Sequence, residues 1–207
     1  MQVIGLCRFS YPAIGGFQVE HDTIEERIRF LYAEERLEER FQLMETVALP
    51  CLRAQTDPDF DLIIVIGDSL PAHHEARLRD LVAGMPQVRI EKHPPMPQRA
   101  VMKDILNKAR RDQDKPCLQF RYDDDDAVSV DFIERLRATI SDCPGLVARH
   151  RSVAVDFNPP MFSDSPFNSV HCWVIVRNQH FAQTLFRRDL FGQPVNVADN
   201  HRVASKR

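Results

Sequence analysis

Residues Cys117 to Ala127 read Cys-Leu-Gln-Phe-Arg-Tyr-Asp-Asp-Asp-Asp-Ala, a short apolar and aromatic run that ends on four consecutive carboxylates. A helical pattern resumes after Val128. Adjacent anions repel one another, so Asp123, Asp124, Asp125 and Asp126 need a compensating cation if they are to sit in folded structure. Hard divalent ions, Mg²⁺ or Mn²⁺, meet that need with oxygen ligands and commonly bridge to a phosphate. The carboxyl ends of strands are also where open α/β sheets hold ligands. A solvated acidic turn is the ordinary alternative for a charge run. The β-type segment that leads directly into this one weighs against it.

The flanking segments alternate in type. Val3 to Phe9 reads as a strand, followed by a loop containing Pro12, Gly15 and Gly16. Thr23 and Glu26 form a capping-box pattern that opens a charged helix with Ile24, Ile28 and Leu31 on one side. Leu37, Phe41, Met44, Ala48 and Leu52 extend a single apolar face, and the Glu/Arg-rich stretches between read as its solvated side. Phe60 to Ile66 is nearly continuous in Ile, Val and Leu, as expected of a parallel strand covered on both faces. Gly67 to Pro71 leads into a helix to about Ala83, Val88 to Glu91 is a strand, and a helix spans about Gln98 to Arg111. After the acidic run come a helix over about Val130 to Ser141 and strands near Leu146 to His150, Ser152 to Phe157 and Cys172 to Val176. A helix is expected at about Gln179 to Phe186, then a polar tail. This alternation predicts an α/β fold with a mostly parallel, doubly wound sheet.

Composition narrows the class. A chain of 207 residues suits one domain, and 27 basic against 30 acidic side chains, formal charge −3, form no basic stripe of the kind nucleic acid requires. The five cysteines, Cys7, Cys51, Cys117, Cys143 and Cys172, lack metal-ligand spacing and read as reduced core residues of a cytoplasmic protein. The amino terminus lacks the features of a signal peptide, and no apolar run approaches the roughly 20 residues that span a bilayer. Peripheral attachment to a membrane stays open.

Four stretches, in order, resemble a known family. They are Gly5 to Ser10 with Gly15-Gly16-Phe17, Leu49 to Asp57 (Leu-Pro-Cys-Leu-Arg-Ala-Gln-Thr-Asp), Phe60 to Pro71, and Arg121 to Ala127. Together they resemble nucleotide-sugar-dependent glycosyltransferases of the GT-A fold, and more narrowly the bacterial rhamnosyltransferase family. The resemblance implies a Rossmann-type sheet in a single domain. Its nucleotide-sugar-binding half would cover about residues 1–127 and its acceptor-side half about 128–207. It also implies transfer of a sugar, rhamnose among the candidates, from a nucleotide diphosphate to a saccharide or lipid-linked saccharide, in bacterial surface polysaccharide synthesis and with inversion.

Such a transfer breaks the bond between the anomeric carbon and a phosphate oxygen, and a divalent cation across the diphosphate stabilises the charge that develops there. Alternate side chains at a strand end share one face, so two overlapping Asp-x-Asp registers are available. These are Asp123 with Asp125 and Asp124 with Asp126, and the second is favoured here. By the resemblance, the first aspartate of a register contacts the ribose and the last ligates the metal. The same resemblance assigns Arg8, Gly15, Gly16 and Asp68 to nucleotide binding, alongside Asp123 and Asp124. It assigns Asp124, Asp125 and Asp126 to the metal, His201 to the metal or to a phosphate, and Asp199 to deprotonation of the acceptor hydroxyl. Asp156 and Asp164 are alternative bases. His171 and Trp173 are candidates for the sugar pocket, and Arg99 with Lys103 for the diphosphate, although a solvated helix face is the better account of that pair. His73 and His74 read as exposed. Two other classes remain: a nucleotidyltransferase or related metal-dependent phosphoryl enzyme, and a silent nucleotide-binding module. The chain has only seven glycines and no glycine-rich phosphate loop with lysine, which disfavours the first.

Overall fold

The protein was analysed as a computed structural model, which describes residues 1–15, 21–150, 152–157, 171–175, 196–197 and 201–206. The strands are β1 (Gln2–Arg8), β2 (Asp61–Gly67), β3 (Val88–His93), β4 (Cys117–Tyr122), β5 (Ser152–Phe157), β6 (His171–Ile175), β7 (Asn196–Val197) and β8 (His201–Lys206). The helices are α1 (Ile24–Leu31), α2 (Glu34–Leu43), α3 (Leu49–Arg53), α4 (Ala72–Val82), α5 (Gln98–Ala109), α6 (Phe132–Ser141) and α7 (Pro144–Arg149). Among the described residues, these strands lie in one sheet of order β3-β2-β1-β4-β6-β5-β8-β7. The pairs β1–β2, β2–β3 and β1–β4 are parallel, giving the Rossmann-type half that alternation of strands and helices predicts. From β4 onward the pairings are antiparallel, and this is the less regular C-terminal half.

Strand alternation divides the core between the two faces of the sheet. Val3, Cys7, Leu62, Ile64, Ile66, Leu118, Phe120 and Tyr122 pack with α2, α3, α4 and α6 on one face. Ile4, Leu6, Ile63, Val65 and Cys117 pack with α5 on the other. Leu62 to Ile66 are all buried, as the unbroken apolar run requires. At the edge, β3 carries Arg89, Glu91 and Lys92, charges that discourage further pairing.

Leu37, Phe41, Met44, Ala48 and Leu52 are all buried, as their spacing predicts. The helix that carries them is not regular, however. It breaks between Leu31 and Glu34 and widens into a π turn at Met44–Ala48. That turn precedes Pro50, which has no amide to donate, and the extra residue keeps the apolar face in register. Leu146 to His150, expected as a strand, falls mostly in α7, where Pro144 supplies a helix-ready φ and Leu146 and Val147 reach the core. Within the polar tail, β8 pairs with β5 over six register positions, from Ser152–Lys206 to Phe157–His201. The helix expected at 179–186 lies outside the described residues. Among the described residues, no helix is long and apolar enough to cross a membrane. Cys7, Cys51, Cys117 and Cys143 are free thiols.

Gly67 closes β2 where no side chain fits, because a Cβ there would collide with the Tyr32 hydroxyl and with Pro12. The bare backbone therefore lets the loop after β1 and the end of α1 converge on the carboxyl end of β2. Gly15, with φ of 73°, turns that same loop in a conformation that favours glycine.

Candidate functional site

The acidic run begins one residue beyond β4, at the carboxyl edge of the parallel strands. Alternation puts Arg121, like Cys117, on the α5 side of the sheet, and Arg8 lies on that side at the end of β1. Both guanidinium groups reach Asp123. Arg121 makes a two-pronged contact, and Arg8 Nη2 lies 4.0 Å from Asp123 Oδ1. Burial, reinforced by the Arg121 charge, lowers the Arg8 pKa from its ordinary value.

From the opposite side, Arg40 on α2 donates to Asp124 Oδ1 at 2.9 Å and to Asp125 Oδ2 at 3.3 Å. Burial disfavours the charge on Arg40, but the two carboxylates outweigh it and raise its pKa. Arg36, one helical turn earlier, donates to Ser10 Oγ at 3.2 Å. Ser10 is itself held at φ of 48°, an unusual backbone conformation for a residue with a side chain. A helix face that reads as solvated therefore delivers two cations to the edge of the sheet.

The four carboxylates fall into two environments. Asp124 is 7% exposed at its side chain, whereas Asp123 and Asp125 are 30% and 44% exposed. Burial pushes the Asp124 carboxyl up to about 6 against the pull of Arg40. Asp126 is also buried, accepts the Asp123 amide at 2.8 Å, and is likewise pushed up to about 6, chiefly by burial. The Asp126 amide returns to the Asp123 carbonyl at 3.2 Å, closing a tight turn. Asp124 and Asp126 thus face inward, and Asp123 and Asp125 face outward.

The turn is anchored from below. The Tyr122 hydroxyl lies 2.8 Å from the Asp126 carbonyl, 2.9 Å from that of Ala48 in the π turn and 3.0 Å from Cys51 Sγ. Burial drives the Tyr122 pKa far above its ordinary value. Gln55 Nε2 donates to the carbonyls of Cys51 and Ser129 at 2.9 and 2.8 Å, and its Oε1 accepts the Ile133 amide at 3.0 Å. The Thr56 amide donates to Val130 O at 2.8 Å. Leu49 to Asp57, conspicuous in the sequence without an assigned task, is thus the brace that fixes the chain leaving the aspartates. Gln55 and Arg40 were not among the residues read as functional. The signals for them were the Gln-Thr pair inside that stretch and the spacing of Arg36 and Arg40 by one helical turn.

Asp68 is exposed just after β2, where its amide donates to the His93 carbonyl at 3.0 Å. Its charge acts on Tyr11 and Tyr32, both raised mainly by burial. Tyr11 donates to the Pro94 carbonyl at 2.7 Å, and Tyr32 Oη lies 3.4 Å from Ser69 Oγ. Two tyrosines and a carboxylate therefore flank the ends of β2 and β3. Arg99 is exposed and Lys103 half-buried on α5. His73 is exposed as read from sequence, but His74 is buried against Phe41, their rings stacked 5.7 Å apart.

Register brings the later candidates to the same edge. In β5 and β6, Asp156 pairs with His171, and Phe157 at the end of β5 pairs with His201 at the start of β8. Because β5 runs in the same direction as β4, these positions lie at the carboxyl edge that carries the aspartates. His201 begins three strands from β4, about 14 Å at the usual inter-strand spacing. Trp173 lies inside β6, opposite Gln119 of β4. Gly16, Asp164 and Asp199 lie outside the described residues, and Asp199 falls in the chain between β7 and β8.

Residues 2–202 match the family described as "Putative rhamnosyl transferase". No curated protein sequence matches the chain. Among solved structures, the crystal structure of S. aureus TarS 1-349 is similar, with a TM-score of 0.38 and 11% sequence identity. The likeness covers 74% of this chain and 34% of that one, so the chain spans about a third of that structure. With residues 2–202 of its 207 matched, the chain belongs to this family, a family of glycosyltransferases.

Proposed function

We propose that the protein transfers a sugar from a nucleoside diphosphate to a hydroxyl group of a saccharide or lipid-linked saccharide, with Mn²⁺ or Mg²⁺ held by the aspartate run. Rhamnose is the sugar that the family description names, and assembly of a bacterial surface polysaccharide is the setting we assign. The reading is carried by the division of the four carboxylates at the carboxyl end of β4. Asp124 and Asp126 are drawn inward by Arg40 and by the Asp123 amide, and Asp123 and Asp125 are left facing out.

An oxygen-only donor set with one well-exposed carboxylate suits a hard divalent cation. The inward burial of Asp124 and Asp126 favours Asp125 as the ligand and Asp123 as the residue turned to the ribose, the alternative to the Asp124/Asp126 register. A bound cation would supply charge stabilisation to the departing diphosphate. The chain's own groups have separate tasks. Arg40 holds Asp124 in place and limits repulsion within the run. Arg121 and Arg8 orient Asp123, and Arg8 with the backbone at Gly15 faces the phosphates and ribose. Asp68, beside Tyr11 and Tyr32, accepts hydrogen bonds from the base.

Asp199 remains our choice for the group that takes the acceptor proton, opposite the leaving group in an inverting transfer. It precedes β8, whose start shares the aspartates' edge of the sheet. The distance of β8 from β4 favours His201 as an acceptor-side or phosphate contact over a metal ligand.

The test is to incubate the protein with a panel of nucleoside diphosphate sugars, with Mn²⁺ or with a chelator, and to assay nucleoside diphosphate and pyrophosphate. Slow release of nucleoside diphosphate that depends on Mn²⁺ is expected. Pyrophosphate release would instead mark a nucleotidyltransferase, and no product with any donor, despite metal-dependent binding, a silent module.

A further inference from the structure

We propose that Glu34, His73 and His74 form a second metal site, for Zn²⁺ or a similar borderline ion, where the start of α2 meets the start of α4. One ligand atom from each residue lies within 4.8 Å of the other two. His74 Nε2 and Glu34 Oε2 are 3.4 Å apart. Two ligands of a tetrahedral zinc ion, with bonds of about 2.0–2.1 Å, are separated by about 3.3 Å. That pair already stands at a coordination edge, and the third atom needs to move by little more than an ångström.

The three residues differ in freedom in a way that suits a site. His74 is buried and stacked on Phe41, so its imidazole is fixed in direction. Glu34 and His73 are exposed and reach the final geometry by side-chain rotation. An ion pair between His74 and Glu34 accounts for one contact only, at the long end of hydrogen-bond distance. It does not account for the His73 ring, which lies 4.0 Å from that of His74. A shared ion accounts for the convergence of all three ligand atoms. The positive end of α4 works against a cation there, but more weakly than three ligand bonds work for it.

Two imidazoles and one carboxylate select Zn²⁺ over Mg²⁺ or Mn²⁺, which prefer all-oxygen sets such as the aspartate run. Three protein ligands leave a fourth position to water. The site's role is to fix α2, whose first residue is Glu34 and which carries Arg36 and Arg40 to Ser10 and Asp124.

The experiment is calorimetric titration of the chelator-stripped full chain with ZnCl₂ in excess Mg²⁺, which occupies oxygen sites. One Zn²⁺ per chain is expected, with affinity at least tenfold weaker in His73→Ala and in Glu34→Gln and unchanged in Asp125→Asn. At about a hundredfold excess over its dissociation constant, Zn²⁺ should raise the unfolding midpoint by roughly 5–10 °C in the wild type and far less in His73→Ala. Both variants alter exposed side chains, and circular dichroism checks that they fold. No Zn²⁺ uptake by the wild type, equal uptake by His73→Ala, or loss of uptake in Asp125→Asn would each overturn the proposal. None of these readouts involves sugar transfer, so the result is independent of the function proposed above.

Discussion

Arg40 shows how one side chain can decide what a cluster of like charges is able to do. Its guanidinium meets Asp124 at 2.9 Å and Asp125 at 3.3 Å, and without it the buried Asp124 would lose a hydrogen-bonded cation. Removing one partner of a buried ion pair is costly because the other is left desolvated, but Arg40 is about a quarter exposed and water moderates the loss. Arg40→Met should therefore lower the unfolding free energy by about 1–2 kcal/mol in a urea titration. Arg40→Met combined with Asp124→Asn should lose less than the single Arg40 change, since the stranded charge goes with its partner. The outward aspartates behave differently. Asp125→Asn should leave stability within roughly 0.5 kcal/mol of wild type, as surface changes generally do, while weakening Mn²⁺-dependent nucleoside diphosphate binding at least tenfold by calorimetry. Asp124→Asn should have the smaller effect on that affinity. The reverse order would restore the Asp124/Asp126 register.

At the level of elements, Leu49 to Asp57 and the turn after β4 act as one unit. Gln55 satisfies two carbonyls and one amide of segments far apart in the chain. Gln55→Leu keeps the bulk but leaves those groups unpaired in a buried place, which costs about 1–3 kcal/mol. The same variant should weaken nucleoside diphosphate binding without touching the ligand, because the turn holding Asp123 to Asp126 loses its lower anchor. Full stability in denaturant would show that Gln55 is dispensable. The strands of this unit were legible because their patterns are unambiguous: Leu62 to Ile66 is apolar without interruption, and Phe120 and Tyr122 alternate toward one face. Leu146 to Arg149 was not, since a short apolar run with no period fits a strand and a helix equally, and Pro144 tips it to the helix. The positions of Asp123 to Asp126 could be read, but not which of them are buried, because that depends on Arg40, 84 residues away from Asp124. Charged helix faces look solvated in sequence whether they meet water or a distant carboxylate. Arg27 is another buried cation of a charged helix, one turn before the buried Leu31 of α1.

Across the whole molecule, the change from parallel to antiparallel pairing at β4 divides the proposed labour. Strand β1 ends at Arg8, and β2 and β4 lead directly into Asp68 and the aspartate run, the groups assigned to the donor. Beyond β4, register carries Asp156, His171 and His201 to the same edge, so two halves of unlike topology address one line of space. Substitutions in each half should then fail in different ways. Asp125→Asn should lose donor affinity and turnover together. Asp199→Asn should bind nucleoside diphosphate with Mn²⁺ as tightly as the wild type and lose turnover by roughly 10²–10⁴-fold, the usual contribution of a positioned acid or base. Equilibrium dialysis with the diphosphate and a product-release assay, run on both variants, separate the two failures. Turnover unchanged in Asp199→Asn, with Asp156→Asn inactive but still binding, would move the proton acceptor from the segment before β8 to β5. Loss of donor binding in Asp199→Asn would mean that the C-terminal half closes over the nucleotide and that the two tasks are not divided at β4.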